Sequence, residues 1–146
     1  MAYEFQVVID SHRPHELADW WAQTLGWTVE PQDESFIRRM IAEGHATDDD
    51  TITHNGELRW REGVALRHPD ELAGGGTRPR VLFQHVPETK TVKNRLHLDL
   101  RLGGDDAQEV VAGLRERGAK VLRTGTQGPH TWTTMADPEG NEFCVS

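Results

Sequence analysis

This 146-residue chain has almost no cysteine: Cys144 stands alone. A lone thiol excludes an internal disulfide and fits a reducing cytoplasm. Long apolar runs are also missing. None approaches the roughly 18–20 residues that cross a bilayer. The opening Met1-Ala2-Tyr3-Glu4-Phe5-Gln6 lacks a basic stretch followed by an apolar one. Neither a membrane segment nor a secretory signal is therefore expected. Positive charge is in deficit, with 16 Lys and Arg against 24 Asp and Glu, a formal net charge of −8. That is the reverse of a nucleic-acid binder's basic footprint. Hydrophobic residues make up 36% and charged residues 27% of the chain, which describes a polar but globular protein. The length suits one domain, or two small halves sharing a core.

The most informative stretch is Lys93–Leu102. Leu96, Leu98, Leu100 and Leu102 alternate strictly with Arg95, His97, Asp99 and Arg101. Period two predicts a strand with one apolar face and one charged face. Charged groups need pairing or solvent, so the strand is expected to be covered behind and to face a cavity in front.

The rest of the chain reads as short elements. Phe5–Asp10 predicts a first strand, with Phe5, Val7 and Ile9 on one side. Pro14 suits a helix start. Leu17, Trp20, Trp21 and Leu25 form a helical stripe, and Gly26 suits the left-handed helix end. Trp27–Val29 begins a second strand. Residues 34–43 predict a second helix with Phe36, Ile37, Met40 and Ile41 on its stripe. An acidic loop follows at 46–50. Asn55-Gly56 marks a tight turn between Thr51–His54 and Glu57–Arg61. Gly63–Arg67 extends the sheet, and Gly74-Gly75-Gly76 predicts an exposed connection before the strand Arg80–Val86. After Leu102, Asp106 and Glu109 resemble a capping box ahead of the stripe Ala107, Val110, Val111 and Leu114. Strands are expected at Ala119–Leu122, His130–Ala136 and Glu142–Val145, the last two joined by the turn Asp137–Asn141.

The layout strand, helix, glycine, strand occurs twice. Gln6 to Gly26 is matched by His97 to Gly118, 91 or 92 residues later. The recurrence predicts two β-α-β-β-β modules, about 1–90 and 91–146, in an α+β fold. Their curved mixed sheet is expected to form a half-open barrel with helices outside. Gln6 and His97 become equivalent inward positions.

These motifs resemble the vicinal oxygen chelate superfamily, the glyoxalase/bleomycin resistance/dioxygenase group, and its small glyoxalase-like domain proteins in particular. The residues that carry the resemblance are Val7-Val8-Ile9-Asp10 with Pro14, Trp20-Trp21 with Leu25-Gly26-Trp27, Val92–Leu100, and Asp137–Cys144. The resemblance spans essentially the whole chain. It implies a single glyoxalase-like domain over 1–146 that binds a small organic molecule between its modules, and a homodimer. It also implies a divalent metal held by one residue in each opening strand and one carboxylate late in each module. Carried onto this chain, those positions are Gln6, His97, the region Phe83-Gln84-His85, and Cys144; neither late position is acidic. Glu142 is the nearest carboxylate.

Each candidate has two readings. His97 is a catalytic residue or metal ligand, or a cavity-lining histidine bonded to Asp99. Gln6 is a weak ligand or a polar lining residue. Cys144 is a thiolate ligand, a nucleophile or a small buried hydrophobe. Alternation allows Gln84 or His85, not both, to face the cavity, with Gln84 preferred. Trp60 and Trp132 line a pocket for a flat ligand or pack the core. Arg95, Asp99 and Arg101 recognise a ligand or neutralise one another. His12, His15, His45, His54 and His68 read as solvated surface residues. The function expected is that of a glyoxalase-like small-molecule-binding protein, either a metal-dependent lyase or isomerase or a metal-free, ligand-sequestering protein of the drug-resistance type.

Overall fold

The computed structural model describes residues 1–71 and 79–146; the expected Gly74–Gly76 connection lies outside them. Contacts divide the chain into two units, Met1–Glu88 and Thr89–Ser146.

The first unit opens with strand β1 (Val7–Ser11), helix α1 (Pro14–Leu25) and strand β2 (Thr28–Val29). Helix α2 (Glu34–Ala42) and the hairpin β3 (Thr51–His54)–β4 (Glu57–Trp60) follow. Strands β5 (Gly63–Arg67) and β6 (Arg80–His85) complete the unit. The sheet order is β1-β6-β5-β2, with β1 parallel to β6 and the other neighbours antiparallel. The second unit contains β7 (Leu98–Leu100), α3 (Ala107–Glu116), β8 (Lys120–Gln127), β9 (His130–Ala136) and β10 (Glu142–Val145). Its order, β7-β10-β9-β8, repeats the first topology, again with the opening and closing strands parallel. Both units are thus β-α-β-β-β modules, as the internal repeat predicts. They differ by an insertion: α2 and the β3–β4 hairpin separate β2 from β5, whereas β8 runs directly into β9.

The local signals explain the helices. Pro14 starts α1, and Gly26 at φ 68° accepts the left-handed conformation that ends it. Leu17, Ala18, Trp20 and Trp21 are buried, and α1 packs on β5 and β6. Asp33 caps α2 by accepting from the backbone N–H groups of Ser35 and Phe36, and Asp106 caps α3 in the same way through Gln108 and Glu109. Alternation sorts the sheet faces: Val81 and Phe83 are buried in β6, as are Phe143 and Val145 in β10. Phe143 pairs with Leu98 on one side and Met135 on the other, so it sits at the centre of its sheet.

Two expected strands are shorter than their sequence patterns. The opening strand of the second unit pairs only over Leu98–Leu100, and Leu96 is 88% exposed. Its one neighbour, β10, begins at Glu142, because Asp137 Oδ1 accepts from the N–H groups of Glu139 and Asn141 and closes a turn there. Residues before His97 therefore have no ladder to join. Likewise β1 begins at Val7, opposite Val81. Phe5, expected to begin this strand, lies outside the sheet and is 88% exposed. Strand β8 is longer than the expected Ala119–Leu122 because its pairing with β9 continues to Gln127 opposite His130.

Phe143→Ala removes a fully buried ring from the centre of the second sheet. It is expected to destabilise the protein by about 3–5 kcal/mol, measured by urea denaturation; a loss below about 1 kcal/mol would show that the second sheet does not depend on this ring.

Candidate functional site

In the first unit, the insertion folds back over the sheet and encloses an open cavity of about 890 Å³. Helix α2 supplies Phe36 and Met40, the following loop His45 and Ala46, and the turn before β3 Asp49 and Asp50. Trp60 ends β4, and Arg61, Glu62 and Gly63 lead into β5; Leu82, Gln84 and His85 come from β6. The α2 stripe thus divides: Ile37 is fully buried, while Phe36 and Met40 turn to the cavity.

Gln32 ties this wall to the sheet. Its Nε2 donates to the Gly63 carbonyl at 2.7 Å, and its Oε1 accepts from the Trp60 N–H at 2.9 Å. His15, on α1, donates through Nε2 to the Trp60 carbonyl at 2.8 Å. Burial is the main influence lowering the pKa of His15 and keeps the ring neutral, although the bond to Trp60 opposes it. His54 Nε2 lies 2.6 Å from Asp19 Oδ2, a further tie between hairpin and helix. Gly63 is required by close approach, since a Cβ there would lie 1.9 Å from the Phe83 carbonyl oxygen.

The second unit brings His97, Asp99 and Cys144 together. Parallel pairing of β7 and β10 places Cys144 beside Asp99, and His97 Nδ1 is 3.3 Å from Asp99 Oδ1. One donor atom from each of the three lies within 4.8 Å of the others, the only such group of three among the described residues. His97 and Asp99 are exposed and Cys144 is half-buried, its Sγ 3.5 Å from Thr134 Oγ1. A nitrogen, an oxygen and a sulfur donor fit a borderline ion such as Zn²⁺; the sulfur makes the set unsuited to Mg²⁺ or Ca²⁺. In the first unit the corresponding register holds Gln6, Val8 and Leu82, since Val8 pairs with Leu82 as Asp99 does with Cys144. Among the described residues, a converging group of His, Asp and Cys donors therefore occurs at this register in the second module only.

The other candidates have distinct surroundings. Gln6 lies in the first unit, and its Oε1 accepts from Arg80 Nη1 at 2.8 Å. Arg80 also donates to both oxygens of Glu30, at 2.7 and 2.8 Å, and this pairing is the main reason the Glu30 pKa is lowered. Gln84 lies on the sheet face it shares with Leu82 and Asp10. His85 lies on the opposite parity but at the strand end, where it too reaches the cavity. Alternation wrongly excluded one of the two, because it constrains residues inside a strand and not at its terminus. Trp60 lines the first-unit cavity. The Trp132 ring lies against Gly125 on the neighbouring strand, where a Cβ would come within 2.4 Å of it, beside a separate groove of about 540 Å³ at α3. Arg101 is exposed just beyond β7.

Glu142 is occupied. Its Oε1 accepts from Lys90 Nζ at 2.8 Å and its Oε2 from the Asn94 N–H at 3.1 Å, fastening residues 90–94 to β10. Burial, the largest single influence, opposes ionisation, but these donors outweigh it and pull the pKa down to about 2. The carboxylate nearest to the late position of the second module is thus held by an ion pair.

The contributions of Phe36, Met40, His45, Asp49, Asp50 and Glu62 were not foreseen. Phe36 and Met40 belong to a stripe that periodicity assigns to packing, and only the acidic loop at 46–50 hinted at a special environment.

Residues 6–146 match the sequence model of the glyoxalase-like domain. The chain belongs to the glyoxalase-like domain family. Several solved structures share the fold of this glyoxalase-like chain. A glyoxalase/bleomycin resistance protein/dioxygenase family enzyme from Burkholderia phytofirmans superposes with a TM-score of 0.58 at 15% identity, covering 96% of this chain and 94% of that one. A protein from Agrobacterium tumefaciens gives 0.59 at 11% identity, covering 99% and 96%. The trypanothione-dependent glyoxalase I of Leishmania major gives 0.55 at 13%, covering 99% and 86%. At these identities the likeness is one of fold. No curated protein matches it in sequence. No helix among the described residues is long and apolar enough to cross a membrane.

The Glu142 pKa lies below the ordinary 4.5, so its ion pair stabilises the fold above about pH 4.5, and the contribution is lost as pH falls toward about 2. Glu142→Gln is expected to remove a stabilisation of roughly 1–3 kcal/mol near neutrality and to flatten the acid limb of stability against pH. Urea midpoints measured across that range decide it; an unchanged acid limb would exclude Glu142 as its source.

Proposed function

We propose that this glyoxalase-like protein binds a small organic molecule in the cavity of its first module. The observation that carries the reading is the cavity itself. Its volume of about 890 Å³ lies within the range of small-molecule sites. Its apolar lining includes Phe36, Met40, Trp60 and Leu82, and Gln84 adds a polar amide. Trp60 offers a flat surface whose backbone is held on both sides, by Gln32 and His15. Such prior ordering lowers the entropy cost of binding. Gln84 offers both a donor and an acceptor to orient the ligand. In a thermal-shift screen of small aromatic compounds, hits are expected to lose most of their effect in Trp60→Ala and part of it in Gln84→Ala. Hits that stabilise both variants as well as the parent would place binding elsewhere.

A second reading, metal-dependent lyase or isomerase chemistry, is favoured by the convergence of His97, Asp99 and Cys144. These three residues would hold a Zn²⁺-like ion, leaving a position for substrate oxygen. The ion supplies Lewis acidity at that oxygen when bound. The chain's own contribution is orientation: Asp99 sits against His97 Nδ1, and pairing to β10 sets Cys144 beside them. If this reading holds, protein purified without chelator carries about one Zn²⁺ per chain by elemental analysis. His97→Ala and Asp99→Asn would each bring the content to background and abolish stabilisation by added Zn²⁺. Metal-free protein with no shift from any divalent ion would leave the sequestering form of the first reading.

The expected homodimer is supported by exposed apolar side chains such as Tyr3, Phe5, Val92 and Leu96, and light scattering at about twice 16.5 kDa would establish it. Cytoplasmic residence is supported by the single thiol.

A further inference from the structure

We propose that the first-module cavity selects an organic cation with a flat apolar body. This rests on the reading of that cavity as a small-molecule site and adds the charge of the molecule it takes.

The charged groups of the lining are unequal. Asp49, Asp50 and Glu62 supply three carboxylates against the single guanidinium of Arg61. That guanidinium is turned to the backbone: Nε donates to the Asp49 carbonyl at 2.8 Å and Nη2 to the Thr51 carbonyl at 3.0 Å. An anion would thus find two of its donors already engaged. Among the carboxylates, Asp50 accepts at Oδ2 from the N–H and hydroxyl of Thr47. Asp49 and Glu62 have no side-chain partner among the described residues. Two unneutralised carboxylates therefore flank a cavity with an aromatic and aliphatic interior, and low-dielectric walls focus their field.

The field does not point to a metal. The rim carboxylates and the two histidines, His45 and His85, form no converging group of three donors. An organic ammonium or amidinium needs no such convergence. It keeps part of its hydration, satisfies the carboxylates from the rim, and lays its apolar body on Phe36, Met40, Leu82 and the Trp60 ring, where the indole face also attracts positive charge. The net charge of −8 over the whole chain works in the same direction by drawing cations and repelling anions at low salt.

The inference is tested with three probes of one shape: 2-naphthylmethylammonium, 2-naphthylmethanol and 2-naphthoate, titrated calorimetrically into the full chain. The ammonium is expected to bind on the order of tenfold more tightly than the alcohol, and the carboxylate most weakly. The advantage should shrink as salt is raised. The double variant Asp49→Asn, Glu62→Gln should bring the ammonium to the level of the alcohol and leave the alcohol unchanged, which also shows that the variant is folded. If the alcohol or carboxylate binds as tightly as the ammonium, the charge selection is overturned while the cavity reading stands. If none of the three binds, both are overturned. Ammonium binding that survives the double variant and Trp60→Ala undiminished lies elsewhere and overturns the inference.

Discussion

The parallel pairing of the first and last strands of each module is the constraint on which the rest depends. Two parallel strands cannot be joined by a tight turn, so the chain between β1 and β6, and between β7 and β10, must travel out and return. In both modules it does so through a helix and two antiparallel strands, leaving the closing strand between the opening strand and its neighbour. This arrangement makes residues far apart in sequence into lateral neighbours. Cys144 lies beside Asp99, and Leu82 beside Val8. Which residues meet at this pairing is therefore set by two short strands, and in this chain the two modules received different residues at the same place.

That difference extends beyond the strands. The second module passes from β8 to β9 by a hairpin. The first places α2, an acidic turn and a second hairpin between β2 and β5, and the insertion builds most of one wall of the cavity. The wall holds its place through a few directional bonds: Gln32 joins Trp60 to Gly63, His15 holds the Trp60 carbonyl, and Asp19 holds His54. Several of these are polar side chains that a sequence pattern assigns to the surface. His15 in particular is buried and neutral. Among the described residues, the first module holds the larger of the two described cavities, lined by Trp60, and the second holds the converging His97, Asp99 and Cys144.

Much of the fold was legible because its signals are local. Pro14 and Gly26 bound α1, Asp33 and Asp106 cap their helices, Asn55-Gly56 turns a hairpin, and the spacing between Gln6 and His97 reveals the repeat. His97 and Cys144 were also legible as candidates, through the resemblance and their places on paired strands. The limits of strands were not. The alternation of Lys93–Leu102 is perfect, yet only three residues pair, because a strand lasts as long as its neighbour does and β10 begins at Glu142. The cavity was illegible for a related reason. Phe36 and Met40 share a stripe with buried Ile37, and periodicity cannot say which part of a stripe meets the core and which meets a void.

By itself, then, the amino-acid order determined the modules, their helices and turns, the acidic balance and the exclusion of an internal disulfide, since each depends on neighbouring residues or on totals. Only the tertiary structure decided that Asp99 joins His97 and Cys144, that Glu142 is spent on Lys90, that Gln6 serves Arg80, and that His85 as well as Gln84 reaches the cavity. Those outcomes depend on register and on which donor arrives first at a given acceptor, and distances of that kind arise only when segments some 45 to 75 residues apart are brought side by side.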